Sequence, residues 1–356
     1  MIVLDGHSLT PSGWIGDVAE SISIKERDST AAWTPEEISG ISVNTWLKDE
    51  TRPGAGIVWR IQSIRQIFNT KTQTIQLEHV INSLKDKIIP GSVGPADITG
   101  TTGAASCTAR EAVEYILDLQ GDWILGEFEY DEVTNPYKFD GETLYEALEK
   151  VSNSLEDPWW SYDQSEYPFK LNITHKQSEV GTELRANRNL ITIEKTIDKS
   201  DMYTRFYPIG KDDLRLSGGY VSKNENVYGV KEIQEVDETL QTEMELTAWA
   251  TERLNKHAEP VVTIIVDGME LSEATGEPLD AIMMGMFCRV PLPEYATSIT
   301  ERIIEMNYPD AKNSPDLVKI TLANSREDVT KIIADAIRKG GKSRRVSTKQ
   351  NKEDHA

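Results

Sequence analysis

The feature that most constrains this chain is a pair of alternating apolar runs. Gly56-Ile57-Val58-Trp59-Arg60-Ile61-Gln62-Ser63-Ile64 and Gln73-Thr74-Ile75-Gln76-Leu77-Glu78-His79-Val80 are separated by the turn chemistry of Asn69-Thr70-Lys71. Two such runs joined by a short polar turn predict a long β-hairpin. Further alternation in Ile22-Ser23-Ile24-Lys25 and Ile41-Ser42-Val43-Asn44, with Trp14 and Trp33 nearby and no helical spacing, extends the strand-rich character over residues 14–95. Hairpins repeated without intervening helices favour a barrel or sandwich.

Breakers at Pro90-Gly91-Ser92-Val93-Gly94-Pro95 and Gly100-Thr101-Thr102-Gly103 then mark a boundary. Beyond it the periodicity changes. Thr108 followed by Glu111 forms a capping box that opens a helix carrying Val113, Ile116 and Leu117 on one face, and Gly121 is placed to stop it. A second helix is predicted over 143–155, with Leu144, Ala147, Leu148, Val151 and Leu155 at helical spacing. Strand-like segments flank these helices at 124–130, 159–162 and 169–174, giving a compact α+β module.

Strands return at 189–194, 202–209, 227–233, 261–266, 287–290, 301–308 and 317–322. They are interrupted by a helix over 239–257 with Leu240, Met244, Ala248 and Leu254 expected inward. Val329, Ile332, Ile333, Ala336 and Ile337 form the stripe of a terminal helix. The expected fold is mainly β with an α+β insert. A first β-barrel domain spans 1–98, the α+β insert 99–187, and a second β-barrel domain 188–323 with the helical insertion at about 239–257. A C-terminal helix over 324–340 and a flexible basic tail over 341–356 complete the order.

Composition narrows the function. Of 356 residues 38% are hydrophobic, enough for more than one core, and the net charge is −21. A surface this acidic is poorly suited to gripping phosphate, which needs clustered Lys and Arg. The exception is 338–352, where Arg338, Lys339, Lys342, Arg344, Arg345, Lys349 and Lys352 occur without an acid; this stretch reads as a solvated tail or one that docks on an acidic partner. No leader pattern opens the chain and no run of about 18 apolar residues occurs, so no membrane segment is expected. Cys107 and Cys288 stand alone and read as unrelated buried thiols.

The residues of a reaction centre do not assemble by spacing. His7, His79, His175, His257 and His355 form no metal pair. Gly341-Lys342-Ser343 resembles the end of a phosphate loop, but Ala336 stands where the first glycine belongs and the segment follows a helix. Asp122, Glu127, Glu129, Asp131 and Glu132 are the one acidic group that offers paired carboxylates for a cell-wall hydrolase. Trp159, Trp160, Tyr162, Tyr167 and Phe169 offer either core packing or a glycan-contacting face for an adhesin, with strand alternation sending one tryptophan inward and the other outward. No catalytic, cofactor-binding or metal residue is assigned, and no cofactor is expected.

Several blocks, in order, resemble the hub region of phage tail-tip proteins, the prophage tail or tail-associated lysin family. They are Val58-Trp59-Arg60-Ile61 through Ile75-Gln76-Leu77-Glu78-His79-Val80; Gly141-Glu142-Thr143-Leu144-Tyr145-Glu146-Ala147-Leu148; Arg188-Asn189-Leu190-Ile191-Thr192-Ile193-Glu194; Tyr203-Thr204-Arg205-Phe206-Tyr207-Pro208-Ile209-Gly210-Lys211; and 299–308 followed by Val318-Lys319-Ile320-Thr321-Leu322. The resemblance implies two barrel-like domains per subunit. It also implies a homotrimer that forms a pseudo-sixfold ring continuing the hexameric tail tube. Its partners would be further copies of itself, the tail tube or distal tail protein, and a spike, fibre or tape-measure protein. DNA would pass through without specific binding. Such a protein is expected to be made in the bacterial host cytoplasm and to reside in the virion at the tail tip or baseplate. Longer family members append a hydrolase or receptor-binding extension, for which the 356 residues leave no expected room.

Overall fold

The computed structural model describes residues 2–5, 10–14, 21–34, 42–48, 56–69, 72–293 and 297–323. The fold is mainly β with few helices, as the alternation predicts. By contact the chain forms two compact units, one from Met1–Thr192 with Val266–Thr321 and the other from Ile193–Ile265 with Leu322–Ala356.

The first unit is built on a sheet of β1 (Ile2–Asp5), β2 (Thr10–Trp14), β3 (Ser21–Lys25), β4 (Thr30–Trp33), β5 (Trp46–Lys48), β6 (Val58–Ile67) and β7 (Thr72–His79). Its order is β3-β4-β7-β6-β5-β1-β2. The expected hairpin is β6–β7, antiparallel from Trp59↔His79 to Ile67↔Thr72, with a register shift between Ile61 and Ser63. Its turn residues 70–71 lie outside the described residues. Trp33, Trp59, Ile61, Ile75 and Leu77 are fully buried on it, and each large apolar side chain so buried contributes about 1.5–3 kcal/mol relative to exposure. Strand alternation fails at 42–45, which form a turn with Asn44 at φ 71°; the strand begins two residues later at Trp46. Asn tolerates the left-handed region as Val and Ile do not, and the turn competes with the strand there.

Late residues complete this sheet. The strand Thr297–Tyr308 pairs with β3, Met306 opposite Ile24, and also with Phe287–Leu292, which runs parallel to Val180–Glu183. Cys107 and Cys288 are both buried free thiols, the latter pushed up to about 12 by desolvation.

Both predicted helices of the insert form. Thr108 and Glu111 make the reciprocal capping box of the helix Ala109–Asp118, and Gly121 follows its end at φ 84°. Thr143 and Glu146 do the same for Leu144–Ser152. The helices pack near a three-stranded sheet in which Phe169–His175 lies between Trp123–Phe128, parallel, and Pro158–Asp163, antiparallel. Ala112, Val113, Ile116, Leu144, Leu148, Trp123 and Phe169 join Val58, Val80 and Leu84 of the preceding region in one buried cluster.

In the second unit Arg205–Ile209 lies between Val221–Ser222, antiparallel, and Glu232–Val236, parallel. The helix Glu243–His257 contributes Ala250 and Leu254 to a core with Tyr203, Phe206 and Ala258. This corrects the expected inward face. Leu246, Ala250 and Leu254 point in at four-residue spacing toward the core of Tyr203 and Phe206, whereas Met244 is 82% exposed and Ala248 is exposed as well. The strand expected over 227–233 is also corrected, because Glu225–Tyr228 is a short helix ended by Gly229 at φ 80°. The strand resumes at Glu232. The expected C-terminal helix and basic tail lie outside the described residues.

Candidate functional site

The aromatic run 159–169 is consumed by packing. Alternation along Pro158–Asp163 buries Trp160 and leaves Trp159 half-buried. The Trp160 indole Nε1–H donates to Ser152 Oγ at 2.9 Å, its backbone N–H to Glu26 Oε1 at 3.1 Å, and the Arg27 guanidinium sits 4.4 Å above its ring. Tyr162 donates its hydroxyl to the Glu26 carbonyl at 2.8 Å, Tyr167 donates to Asp122 Oδ1 at 2.9 Å, and Phe169 is fully buried beside Trp123. Trp159 lies against Gly285, where an added Cβ would collide with the indole. Trp160 and Phe169 are therefore closed to a stacking sugar, and Trp159, Tyr162 and Tyr167 are half-buried against protein.

Beside this cluster His79 is buried, 4.5 Å from the Tyr162 ring, with Nδ1 accepting the Ile81 N–H at 3.2 Å. Desolvation lowers its pKa to about 4 despite the raising effect of Gln164 and Asp28. It is a neutral core histidine at ordinary pH. His175 closes the strand Phe169–His175 with its ring 4.4 Å from Tyr130, and His257 ends its helix stacked 4.8 Å from Tyr203. His7 and His355 lie outside the described residues.

The acidic group is likewise engaged. Asp131 is ion-paired to Arg110, whose guanidinium hydrogen bond holds the carboxyl below the usual range. Glu129 Oε2 accepts the His175 N–H at 2.5 Å, and Asp122 accepts the Tyr167 hydroxyl. Glu127 and Glu132 are exposed. Glycoside hydrolysis requires one carboxyl raised and protonated as the general acid, whereas the shift at Asp131 runs the other way. Among the described residues no group of three or more His, Cys, Asp or Glu is arranged to hold a metal ion.

A different charged group comes together around Arg188 and Asn189, which the sequence offers only as the start of a family-like block. A cavity of about 190 Å³ is lined by Glu183, Arg185, Arg188, Glu277, Leu279 and Asp280. Glu183, almost buried at the end of Val180–Glu183, is paired with Arg185 and receives Arg289 Nε at 2.9 Å; the Arg185 bond is the largest influence holding its carboxyl low. Asp280, 3% exposed, accepts from Arg188 at 2.5 Å and from Thr275 Oγ1 at 2.6 Å. Asn189 ties the group together, accepting the Arg185 N–H at 2.8 Å and donating to the Glu183 carbonyl at 3.0 Å. Each buried acid is matched by arginine, so the cluster fastens the 272–282 segment to the strand Val180–Glu183. Breaking one member would leave a buried charge uncompensated. The residues are as much as 106 positions apart, and only the start of the block 188–194 includes any of them.

Residues 176–333, which contain this cluster, match the family model described as the prophage endopeptidase tail. The chain matches no curated protein. Among solved structures, the prophage MuSo2 43 kDa tail protein from Shewanella oneidensis has a TM-score of 0.60 at 13% identity, over 85% of this chain and 92% of that one. The tail protein from Neisseria meningitidis MC58 has a TM-score of 0.57 at 12% identity, over 86% and 92%. The prophage tail protein gp18 from Listeria monocytogenes EGD-e has a TM-score of 0.52 at 13% identity, over 89% and 91%. At these identities the likeness is one of fold. Together with the family match it bears out the resemblance carried by the sequence blocks.

Proposed function

We propose that this chain, whose residues 176–333 carry the prophage tail family signature, is a structural hub of a phage tail tip or baseplate. The observation that carries the reading is that family match set within a fold shared, over at least 85% of this chain, with three tail proteins. In this reading the hub works as a homotrimer. It joins the tail tube or distal tail protein on one side to a spike, fibre or tape-measure protein on the other, and the ring forms part of the conduit. The sequential modules 1–98, 99–187 and 188–323 are its building blocks, with the two outer ones as the tube-like pair. Among the described residues no helix is long and apolar enough to cross a membrane. The direct test is antibody labelling of assembled particles. Label at the distal end of the tail supports the hub, and label absent from purified particles removes it.

The word endopeptidase in the family description favours a second reading, a cell-wall hydrolase. The engagement of the acidic group in ion pairs and backbone hydrogen bonds supports the non-catalytic reading instead. A zymogram on purified cell wall separates the two: no clearing is expected from the full chain. Clearing that Asp131→Asn abolishes would establish hydrolysis.

A further inference from the structure

We propose that the outward face of the helix Glu243–His257 is the seat of this chain's own C-terminal segment. The apolar stripe of 329–337 lies along the helix, and the basic run 338–352 meets the acidic corner at the helix's start.

The helix has two faces of apolar or small residues, and only one of them is covered. At 100° per residue, Met244, Ala248 and Thr251 lie opposite Leu246, Ala250 and Leu254. Ala250 and Leu254 pack with Tyr203 and Phe206, whereas Met244, Thr247, Ala248 and Thr251 are exposed. The two threonine hydroxyls donate within the helix, Thr247 to the Glu243 carbonyl at 2.8 Å and Thr251 to the Thr247 carbonyl at 2.7 Å. Neither hydroxyl proton is left to seek a partner. A solvated helix face ordinarily carries charge. Here, in a chain with 27% charged residues, positions 244, 247, 248 and 251 carry none.

The point at which the described chain ends selects the occupant. Its last strand, Leu317–Ala323, neighbours Val261–Met269. Asp316 accepts the Glu270 N–H at 2.9 Å and Lys319 pairs with Asp267 at 3.8 Å, so the two strands run antiparallel. Ala323 thus comes level with the start of Val261–Met269, just past the helix end at His257. Residues 324–337, which the sequence predicts to be helical, would span about 21 Å, the length of the 15-residue helix Glu243–His257. Running back along it, Val329, Ile333 and Ile337 come level with Thr251, Ala248 and Met244 in turn, and Arg338 arrives where the helix begins.

Charge completes the fit at that end. Residues 232–252 hold seven Asp or Glu and no Lys or Arg, while 338–352 hold seven Lys or Arg and no acid. Among the described residues Glu238, Glu243 and Glu245 are in no ion pair, so their charge is open to a cation. A tethered segment also acts at an effective concentration on the order of millimolar, which favours it over a separate partner.

The test is disulfide trapping in the full chain carrying Ala248→Cys and Ile333→Cys, read on non-reducing gels and by peptide mapping after mild oxidation in dilute solution. Cys107 and Cys288 are buried and stay out of the reaction. The expected product is a bridge within one chain, forming about tenfold faster than in the same pair with Met244→Glu added, which charges the face. Without cysteines, trypsin should cut wild type after Lys331 about tenfold more slowly than Met244→Glu or Ala248→Glu. Melting temperatures of these variants should stay within a few degrees of wild type, because both positions lie outside the core. Equal trapping rates with and without Met244→Glu overturn the seat, as does equal cleavage. Bridges that join two chains give the face to a second copy's segment and overturn the own-chain assignment. Protection of Lys331 that appears only in assembled tails gives the segment to a different tail protein, with the same consequence.

Discussion

Single side chains carry much of the insert's attachment, and His79 gives the clearest measurable consequence. Its folded pKa of about 4 lies below the ordinary value of 6.5 because burial disfavours the imidazolium. The neutral form is thus favoured by folding. The associated stability is fully present above pH 6.5 and is lost as pH falls through the window from 6.5 to 4, reaching about 3 kcal/mol at the acid end. Urea titrations at pH 7 and pH 4 should show this loss in wild type and a smaller loss in His79→Gln; equal pH dependence in the two would remove His79 as the source. Trp160 offers a second test at this scale. Trp160→Ala deletes a buried ring and removes its indole hydrogen bond to Ser152, while the backbone bond to Glu26 remains. It should cost roughly 3–5 kcal/mol in denaturant unfolding, while an exposed glycan-binding tryptophan would cost almost nothing.

Elements show where local signals suffice and where they fail. The boxes Thr108/Glu111 and Thr143/Glu146 are legible because a cap is a contract between residues three apart. Thr143→Ala should lower stability by about 1 kcal/mol, read as a shift in urea midpoint at unchanged slope. The face of Glu243–His257 was misassigned because Leu240 and Met244 fit the same four-residue spacing as Leu246, Ala250 and Leu254. What decides between them is the core of Tyr203, Phe206 and Ala258 on which Ala250 and Leu254 pack, and spacing along the helix does not show it. Gly285 was invisible for a different reason. Its φ of 80° and its approach to Trp159 involve a partner more than a hundred residues away. Gly285→Ala should therefore cost roughly 3 kcal/mol or more. Adding Trp159→Ala should recover part of that loss, since it relieves the collision but not the backbone strain.

At the scale of the molecule, the sequence disclosed a mainly β chain with an α+β region, because periodicities of two and of 3.6 are written locally. The arginine–carboxylate cluster around Glu183 and Asp280 was not legible, since its members come from three separated segments. The proposed conduit makes its own demand. With a net charge of −21 the assembled ring should show no tight, salt-sensitive binding of duplex DNA in a filter-binding assay between 50 and 200 mM salt. Strong retention at low salt would contradict passage without specific binding.

The pairing of β3 with Thr297–Tyr308 also governs when this protein can become itself. A ribosome delivers Ile24 nearly three hundred residues before Met306, its cross-strand neighbour. Until that late strand emerges, β3 waits with one edge bare, exposed to whatever else can donate a strand. Nascent chains should thus acquire their protease-resistant first unit only after residue 308 has emerged, and slowly, as expected when loop closure must precede the contacts that reward it.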